Sequence, residues 1–151
     1  MRVVIEKSLR QLTLWDGEQA LLRTRVALGR NPVGGKQREG DLRTPEGLYQ
    51  ICLAKEQGKY GKSLGLNYPN AEDAHRGFQS GQIDQTTLQA VVDAVAAGRR
   101  PPWGTPLGGE VYLHAGDVQA DWTAGCIALA QEDMDVLFAC RNQIEDVEIR
   151  P

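Results

Sequence analysis

Two side chains in this 151-residue chain have the types and spacing for nucleophilic chemistry, His114 and Cys126. They lie in one stretch, Val111 to Leu129, which reads V-Y-L-H-A-G-D-V-Q-A-D-W-T-A-G-C-I-A-L. A thiol with an ordinary pKa near 8.5 is only a few per cent thiolate at neutral pH, so it reacts well only beside a base or in a positive field. His114 is the candidate base. Its other ring nitrogen then needs an acceptor to hold the tautomer. No Asp or Asn stands at an obvious spacing, and the backbone carbonyl of Ala115 is the substitute at hand. Gly125, the residue before Cys126, lets the backbone approach a substrate closely. The peptide N–H groups of Ala124, Gly125 and Cys126 can converge on a developing oxyanion, where one donor is typically worth ~3 kcal/mol. The Thr123 hydroxyl can join them.

The remaining chemistry-bearing residues have plainer readings. Cys52 sits in the strand-like run Tyr49–Leu53 and Cys140 at the end of a helix-like segment, where a cysteine is expected to serve as a small buried hydrophobe. His75 has no Cys or second His near it and is expected on the surface. No C-x-x-C pair or Cys/His cluster with zinc spacing occurs, so no metal and no other cofactor is expected. The stretch Gly29–Gly40, G-R-N-P-V-G-G-K-Q-R-E-G, invites a phosphate-loop reading. Lys36 is not followed by Ser or Thr and no apolar helix follows, so its Gly and Pro are read as turn makers.

The elements that must hold the His/Cys pair follow from periodicity. The runs Val3–Glu6, Gln11–Leu14 and Leu21–Leu28 read as a β meander with a turn at Asp16-Gly17. A loop then leads to Leu48–Leu53, read as one strand. Lys55–Lys62 is polar and reads as a loop or hairpin tip, and Leu64–Asn70 as a strand entering a Pro-Asn turn. Ala71–Gly81 is polar and reads as irregular. Thr86–Ala97 is the clearest helix, with Leu88, Val91, Val92 and Val95 on one stripe, a start at Thr86 or Asp84 and a stop at Gly98. A second helix is expected over Gln131–Arg141 and a last strand over Val147–Arg150.

The length suits one domain, residues 1–151, with an ordinary core. A net charge of −3 argues against a nucleic-acid-binding surface. No apolar run approaches a membrane span. Met1–Glu6 meets charge too early for a secretory leader, which points to the cytoplasm, another export route or a leader already removed.

The motifs in this chain resemble the L,D-transpeptidase (YkuD-type) catalytic domain. The resemblance rests on His114-Ala115-Gly116, on Thr123-Ala124-Gly125-Cys126-Ile127-Ala128-Leu129, and on an upstream element at Gly40-Asp41, Thr44-Pro45 and Gly47. Val26–Gly29, Leu66–Asn70 and Asp121-Trp122-Thr123 look alike as well. It spans nearly the whole chain in the right order. It implies a mainly β fold, two mixed sheets in a sandwich or flattened barrel with one or two helices. It implies a cysteine nucleophile acting on peptidoglycan stem peptides through a thioester, in the periplasm or cell envelope, as a monomer. By this carry-over Cys126 is the nucleophile, His114 the base and Ala115 the carbonyl that orients it. Gly125 and Thr123 line the oxyanion site, and Asp121, Trp122, Tyr68 and Gly116 contact substrate.

Two departures bear on the reaction. The His-to-Cys spacing is shorter than in the commonest members, and the frequent Arg two residues after the Cys is Ala128 here. Both look like the branch that includes murein hydrolases. Transfer and hydrolysis therefore both stand, as do a thiol hydrolase acting on a non-murein amide, an exported effector and a non-catalytic wall-binding module.

Overall fold

Val3, Val4 and Ile5 are consecutive, β-branched and all buried, the pattern of a strand covered on both faces. In the computed structural model, which describes residues 1–151, they form the middle of β1 (Arg2–Glu6). β2 (Gln11–Asp16) and β3 (Gln19–Arg25) follow as antiparallel neighbours, joined by a turn at Gly17 in the left-handed region. β4 (Gly47–Tyr49), β5 (Ile51–Gly58) and β6 (Gly61–Leu66) come next, then α1 (Ala71–Gln79) and α2 (Gln85–Ala96). The chain ends with β7 (Tyr112–Ala115), β8 (Ile127–Leu129), α3 (Gln131–Ala139) and β9 (Asp146–Arg150). One sheet has the order β3-β2-β1-β9-β4 and the other β5-β6-β7-β8. Each contains one parallel pair, β1 with β9 and β7 with β8, so both sheets are mixed. The expected mainly β fold of two mixed sheets is the fold observed, with three α-helices where one or two were expected.

The core forms between the inner faces. Val3, Ile5, Leu12 and Leu14 from the first sheet meet Leu64, Leu66, Leu113, Ile127 and Leu129 from the second. α3 adds Met134, Leu137 and Phe138. A smaller cluster of Ala74, Ile83, Leu88, Val91 and Leu107 seats α1 and α2.

Two segments expected as single strands instead turn corners between sheets. Leu48–Leu53 breaks at Gln50. Tyr49 pairs in the first sheet and Ile51 in the second, while Gln50 and Asn67 exchange hydrogen bonds of 2.8 and 3.0 Å at the corner. Leu21–Leu28 likewise leaves the first sheet after Arg25, and Ala27 and Gly29 bridge to Ala128 and Thr123. Sandwiches make corners with strands that switch sheets, and alternation along the chain does not show where they bend.

The stretch 71–81 is a helix over most of its length, contrary to the irregular segment expected. Asn70 and Asp73 form a reciprocal capping box, 2.9 and 3.0 Å. The buried face is only Asp73, Ala74 and Gly77, too narrow and small for an apolar stripe. Gly77 fits there because a Cβ would lie 2.6 Å from a Leu107 methyl. His75 is exposed, as expected. The 55–62 stretch is a hairpin, with β5 and β6 paired as far as Gly58 and Gly61 and only Lys59 and Tyr60 at the tip.

Candidate active site

Parallel pairing of β7 with β8 sets His114 opposite Ala128, two residues after Cys126. His114 is 2% exposed. Its Nδ1 lies 2.8 Å from the Ala115 carbonyl oxygen. A carbonyl only accepts, so Nδ1 carries the proton and Nε2 keeps a lone pair. Burial lowers the pKa of His114, against a smaller upward pull from the Ala115 carbonyl. Burial likewise raises that of Cys126, which the Tyr112 amide partly offsets and the Glu110 carboxylate adds to. Both shifts favour the neutral thiol and the neutral imidazole over a standing ion pair. The Tyr112 amide donates to Cys126 Sγ at 3.4 Å, and the thiol donates to the Glu110 carbonyl at 3.5 Å.

The loop before Cys126 is braced from within. The Thr123 hydroxyl donates to the Cys126 carbonyl at 2.7 Å and accepts the Gly125 amide at 3.1 Å. Gly125 has φ +142, and a Cβ there would stand 2.8 Å from the Arg43 carbonyl oxygen. No other residue type suits that conformation and that space. The backbone around Leu42 and Arg43 also closes on Gly29, where a Cβ would strike the Leu42 carbonyl. Thr44 accepts the Gly29 amide at 3.0 Å through its hydroxyl, and buried Lys7 donates to the Thr44 carbonyl at 2.8 Å and to Glu46 at 3.1 Å. Asp41 holds its own turn by accepting the amides of Gln37, Arg38 and Arg43 and pairing with Lys36. The 40–47 element is thus a buttress behind the cysteine loop.

Thr123 and Gly125 were expected to line an oxyanion site. Their mutual hydrogen bond removes the Gly125 N–H and the Thr123 hydroxyl from that duty. The amides of Ala124 and Cys126 have no backbone acceptor and are the free donors of the loop.

The expected substrate contacts divide sharply. Trp122 does face the site: its ring meets His114 edge-on, centroids 5.8 Å apart, and its Nε1 donates to the Asp117 carbonyl at 2.7 Å. Tyr68 does not. It is fully buried, donates to the Leu107 carbonyl at 2.8 Å and packs on Tyr49. Asp121 is a brace, paired with Arg10 at 2.8 Å and accepting the Leu28 amide at 3.0 Å. Gly116 makes room for Trp122, whose ring would lie 2.6 Å from a Cβ there. Each was suggested by its neighbours in a motif, and motif proximity does not distinguish a residue that touches substrate from one that shapes the loop.

Tyr60 is the residue that sequence reasoning missed. From the β5–β6 tip its ring stacks on His114, centroids 4.2 Å apart and planes 12° from parallel, and meets Trp122 edge-on at 5.9 Å. Only an aromatic at a hairpin tip hinted at it. Two clefts of about 320 Å³ each meet at Tyr60, His114 and Cys126. One also holds Arg30, Leu42, Trp122 and Ala124. The other holds Lys55, Lys59, Ser63, Glu110 and Tyr112.

Cys52, Cys126 and Cys140 are all free and all partly exposed, so the first and last are less buried than expected. Burial still raises their pKa values, that of Cys52 to about 11. No three His, Cys, Asp or Glu side chains converge as a metal site. No helix is long and apolar enough to cross a membrane.

The profile of the L,D-transpeptidase catalytic domain family, YkuD, matches residues 1–147. YafK of Escherichia coli (strain K12) is 37% identical over 49 residues, 31% of this chain and 20% of that protein. Among solved structures, the helical cell shape determining protein Pgp2 of Campylobacter jejuni superposes with a TM-score of 0.65 and 19% identity, over 97% of this chain and 46% of Pgp2. An L,D-transpeptidase of Stackebrandtia nassauensis gives 0.57 and 13%, over 99% of this chain and 56% of that one. The chain thus spans about half the length of these solved relatives, and at such identities the superpositions establish the fold alone.

Proposed function

Because this chain belongs to the L,D-transpeptidase catalytic domain (YkuD) family, we propose that it catalyses cysteine-dependent acyl transfer on peptidoglycan stem peptides, with residues 1–151 as one catalytic domain acting as a monomer in the cell envelope. The observation that carries this reading is the setting of Cys126 and His114. They share two clefts, and the Ala115 carbonyl leaves His114 Nε2 unprotonated.

The reaction starts from the neutral pair. As Cys126 Sγ attacks the carbonyl at the L-centre of diaminopimelate, its proton passes to His114 Nε2. A low imidazole pKa and a high thiol pKa oppose full proton transfer beforehand, so removal of the proton accompanies attack. The Ala124 and Cys126 amides receive the developing oxyanion. Collapse breaks the C–N bond, and the proton on Nε2 goes to the departing amine. The resulting thioester is released when an amine or water gives a proton to Nε2 and bonds to the carbonyl carbon, and the C–S bond breaks as Sγ takes that proton back from Nε2. Trp122 and Tyr60 hold the imidazole and limit the water around it. Hydrolysis, giving an L,D-carboxypeptidase or endopeptidase, uses the same site with water as acceptor.

Incubation with purified disaccharide-tetrapeptide and, separately, with purified cross-linked dimers, followed by mass spectrometry, tests the proposal. Cross-linked dimers indicate transfer, loss of the terminal D-amino acid alone indicates carboxypeptidase action, and monomer release from dimers indicates endopeptidase action. Cys126→Ala is expected to abolish all three with the fold intact. Turnover by Cys126→Ala at the wild-type rate would refute a thiol mechanism.

A further inference from the structure

The glycine-rich loop from Gly29 to Gly40 has no acid, base or nucleophile in the reaction given above. With residues 41–43 it encloses a cleft of about 290 Å³, lined by Asn31, Gln37, Arg38, Gly40, Asp41 and Arg43 and by no apolar side chain. This cleft lies back to back with a catalytic one. Arg30 and Leu42 line the cleft of Cys126, while their neighbours Asn31 and Arg43 line this one. The Asn31 amide donates to the Leu42 carbonyl at 3.0 Å between them.

The charges of the cleft are unevenly matched. Asp41 is fully engaged, accepting the Lys36 ammonium at 3.0 Å and the amides of Gln37, Arg38 and Arg43. That ion pair is buried, its side chains 5% and 6% exposed, and its charges cancel. Glu39 turns away, with Oε2 2.8 Å from where a Cβ of Gly108 would stand. Arg38 and Arg43 have no such partner. Each enters the hydrogen-bond network through its main chain alone. Neither guanidinium joins an ion pair or lies over a ring. Arg43 is half-buried, and its Nη1 lies 2.7 Å from where a Cβ of Gly34 would stand, so it is seated on bare backbone. A guanidinium carries five N–H donors in a fixed fork, and holding one partly out of water without an acceptor is unfavourable. In a chain of net charge −3, general basicity does not account for two such groups in one polar cleft.

We propose that this cleft binds a phosphate-type oxyanion, free or as an ester. Arg43 and Arg38 supply the two forks. The side-chain amides of Asn31 and Gln37, residues bonded within the protein only through their main chains, supply neutral donors. The site is not a phosphate loop of the nucleotide-binding kind. The Gln37 and Arg38 amides that could cradle a phosphate are taken by Asp41, and no apolar wall is present for a base. Two forks suit the several oxygens of a phosphate better than the two coplanar oxygens of one carboxylate. The inference goes beyond the acyl-transfer reading and stands whether or not that reading holds.

The test is a titration of the wild-type protein with inorganic phosphate at fixed pH and ionic strength, followed by backbone amide chemical shifts. Saturable shifts are expected at Asn31 and from Gln37 to Arg43. Acetate is expected to move the same amides more weakly. Arg43→Ala, which removes a half-buried fork, is expected to weaken phosphate about tenfold. Arg38→Ala, at an exposed position, is expected to weaken it about two- to fivefold. Arg43→Lys keeps the charge but loses the fork, and is expected to recover only part of the affinity. Without phosphate all three variants should melt with the wild type, since the guanidinium removed has no bond in the protein. Shifts gathered at Lys55, Lys59 and Arg100, a response that does not saturate, or an equal response to acetate would each overturn the proposal. So would unchanged affinity in Arg43→Ala, or a lower Tm of that variant in phosphate-free buffer.

Thermal unfolding gives a second readout. Phosphate stabilises folded proteins in general by exclusion from their surface, and a bound ion adds to that effect. The rise in Tm on adding phosphate is expected to be larger in the wild type than in Arg43→Ala, and an equal rise would sink the site. Cys126→Ala is expected to bind phosphate as the wild type does. A loss of binding there would move the anion to the catalytic cleft and overturn the assignment. Glycerol 1-phosphate, a monoester, and an oligomer of glycerol phosphate, joined by diesters, replace inorganic phosphate in parallel titrations. Tightest binding of inorganic phosphate identifies the free ion as the source. Tightest binding of the monoester identifies a small phosphorylated molecule, and of the oligomer a phosphodiester polymer. Each of the three upholds the site, and binding of none overturns it.

Discussion

Thr123→Val separates a brace in the cysteine loop from a group that acts on the reaction. Valine matches threonine in shape, so the change removes the hydroxyl and little else. Two partners lose their bond, the Cys126 carbonyl at 2.7 Å and the Gly125 amide at 3.1 Å, beside a side chain only 4% exposed. A buried partner left unsatisfied costs about 1–3 kcal/mol, and the added methyl offsets about 0.8 kcal/mol. The net loss comes to about 3 kcal/mol. For a domain of this size that lowers Tm by about 6–12 °C. The loop that carries Cys126 also loses its internal register, and displacement of a reacting group by about an ångström can lower the rate ~100-fold. Thermal unfolding, with kcat/KM on disaccharide-tetrapeptide, checks both. Thr123→Ser, which restores the hydroxyl, is expected to recover most of the Tm and most of the rate. A Thr123→Val protein that melts with the wild type but loses ~100- to 1,000-fold in kcat would refute the brace. That pattern is the signature of an oxyanion donor.

Two further outcomes follow from the site. Burial holds the His114 pKa below its ordinary value near 6.5, and in the proposed mechanism the neutral imidazole is the active form. The acid limb of kcat/KM should therefore lie below that value and move up toward it in Tyr60→Ala, which uncovers the stacked ring. A wild-type limb at or above 6.5, or one that does not move, contradicts this. The linked stability has the same sign. On acidification the unfolded chain takes the proton first, so the contribution is complete above the unfolded pKa and is lost as pH falls through the folded one. Asp121→Asn keeps an acceptor for the Leu28 amide but discharges the partner of Arg10. It should lower stability by about 1 kcal/mol and leave KM unchanged. A raised KM at unchanged Tm would return Asp121 to the substrate.

That His114 and Cys126 belong to one stretch was legible in the sequence, and part of their setting rests on local covalent order. His114 and the Ala115 carbonyl are adjacent residues, so one peptide can hold the ring. Cys126 follows Gly125, whose φ of +142 is a property of that residue type. The mainly β architecture was legible for a similar reason, since two-residue alternation and turn residues act over a few positions. The 40–47 element was recognisable as a pattern, although its work behind the cysteine loop was not.

The roles of particular residues depended on distances that no local pattern encodes. Tyr60 stacks on a ring 54 positions away because β6 lies between β5 and β7 and pairs Ser63 with His114. Asp121 and Tyr68 belong to family-like stretches, but one meets Arg10 across the fold and the other is sealed beneath Leu107. The corner at Gln50 depends on Asn67, and α1 on a capping box and a glycine fitted to Leu107. Residue types and short spacings thus determined which chemistry this protein can attempt, because a thiol, an imidazole and a glycine loop act over one or two bonds. Which side chains surround that chemistry, and what sits in the clefts on either side, was decided only when the two sheets packed together and brought distant parts of the chain within a few ångströms.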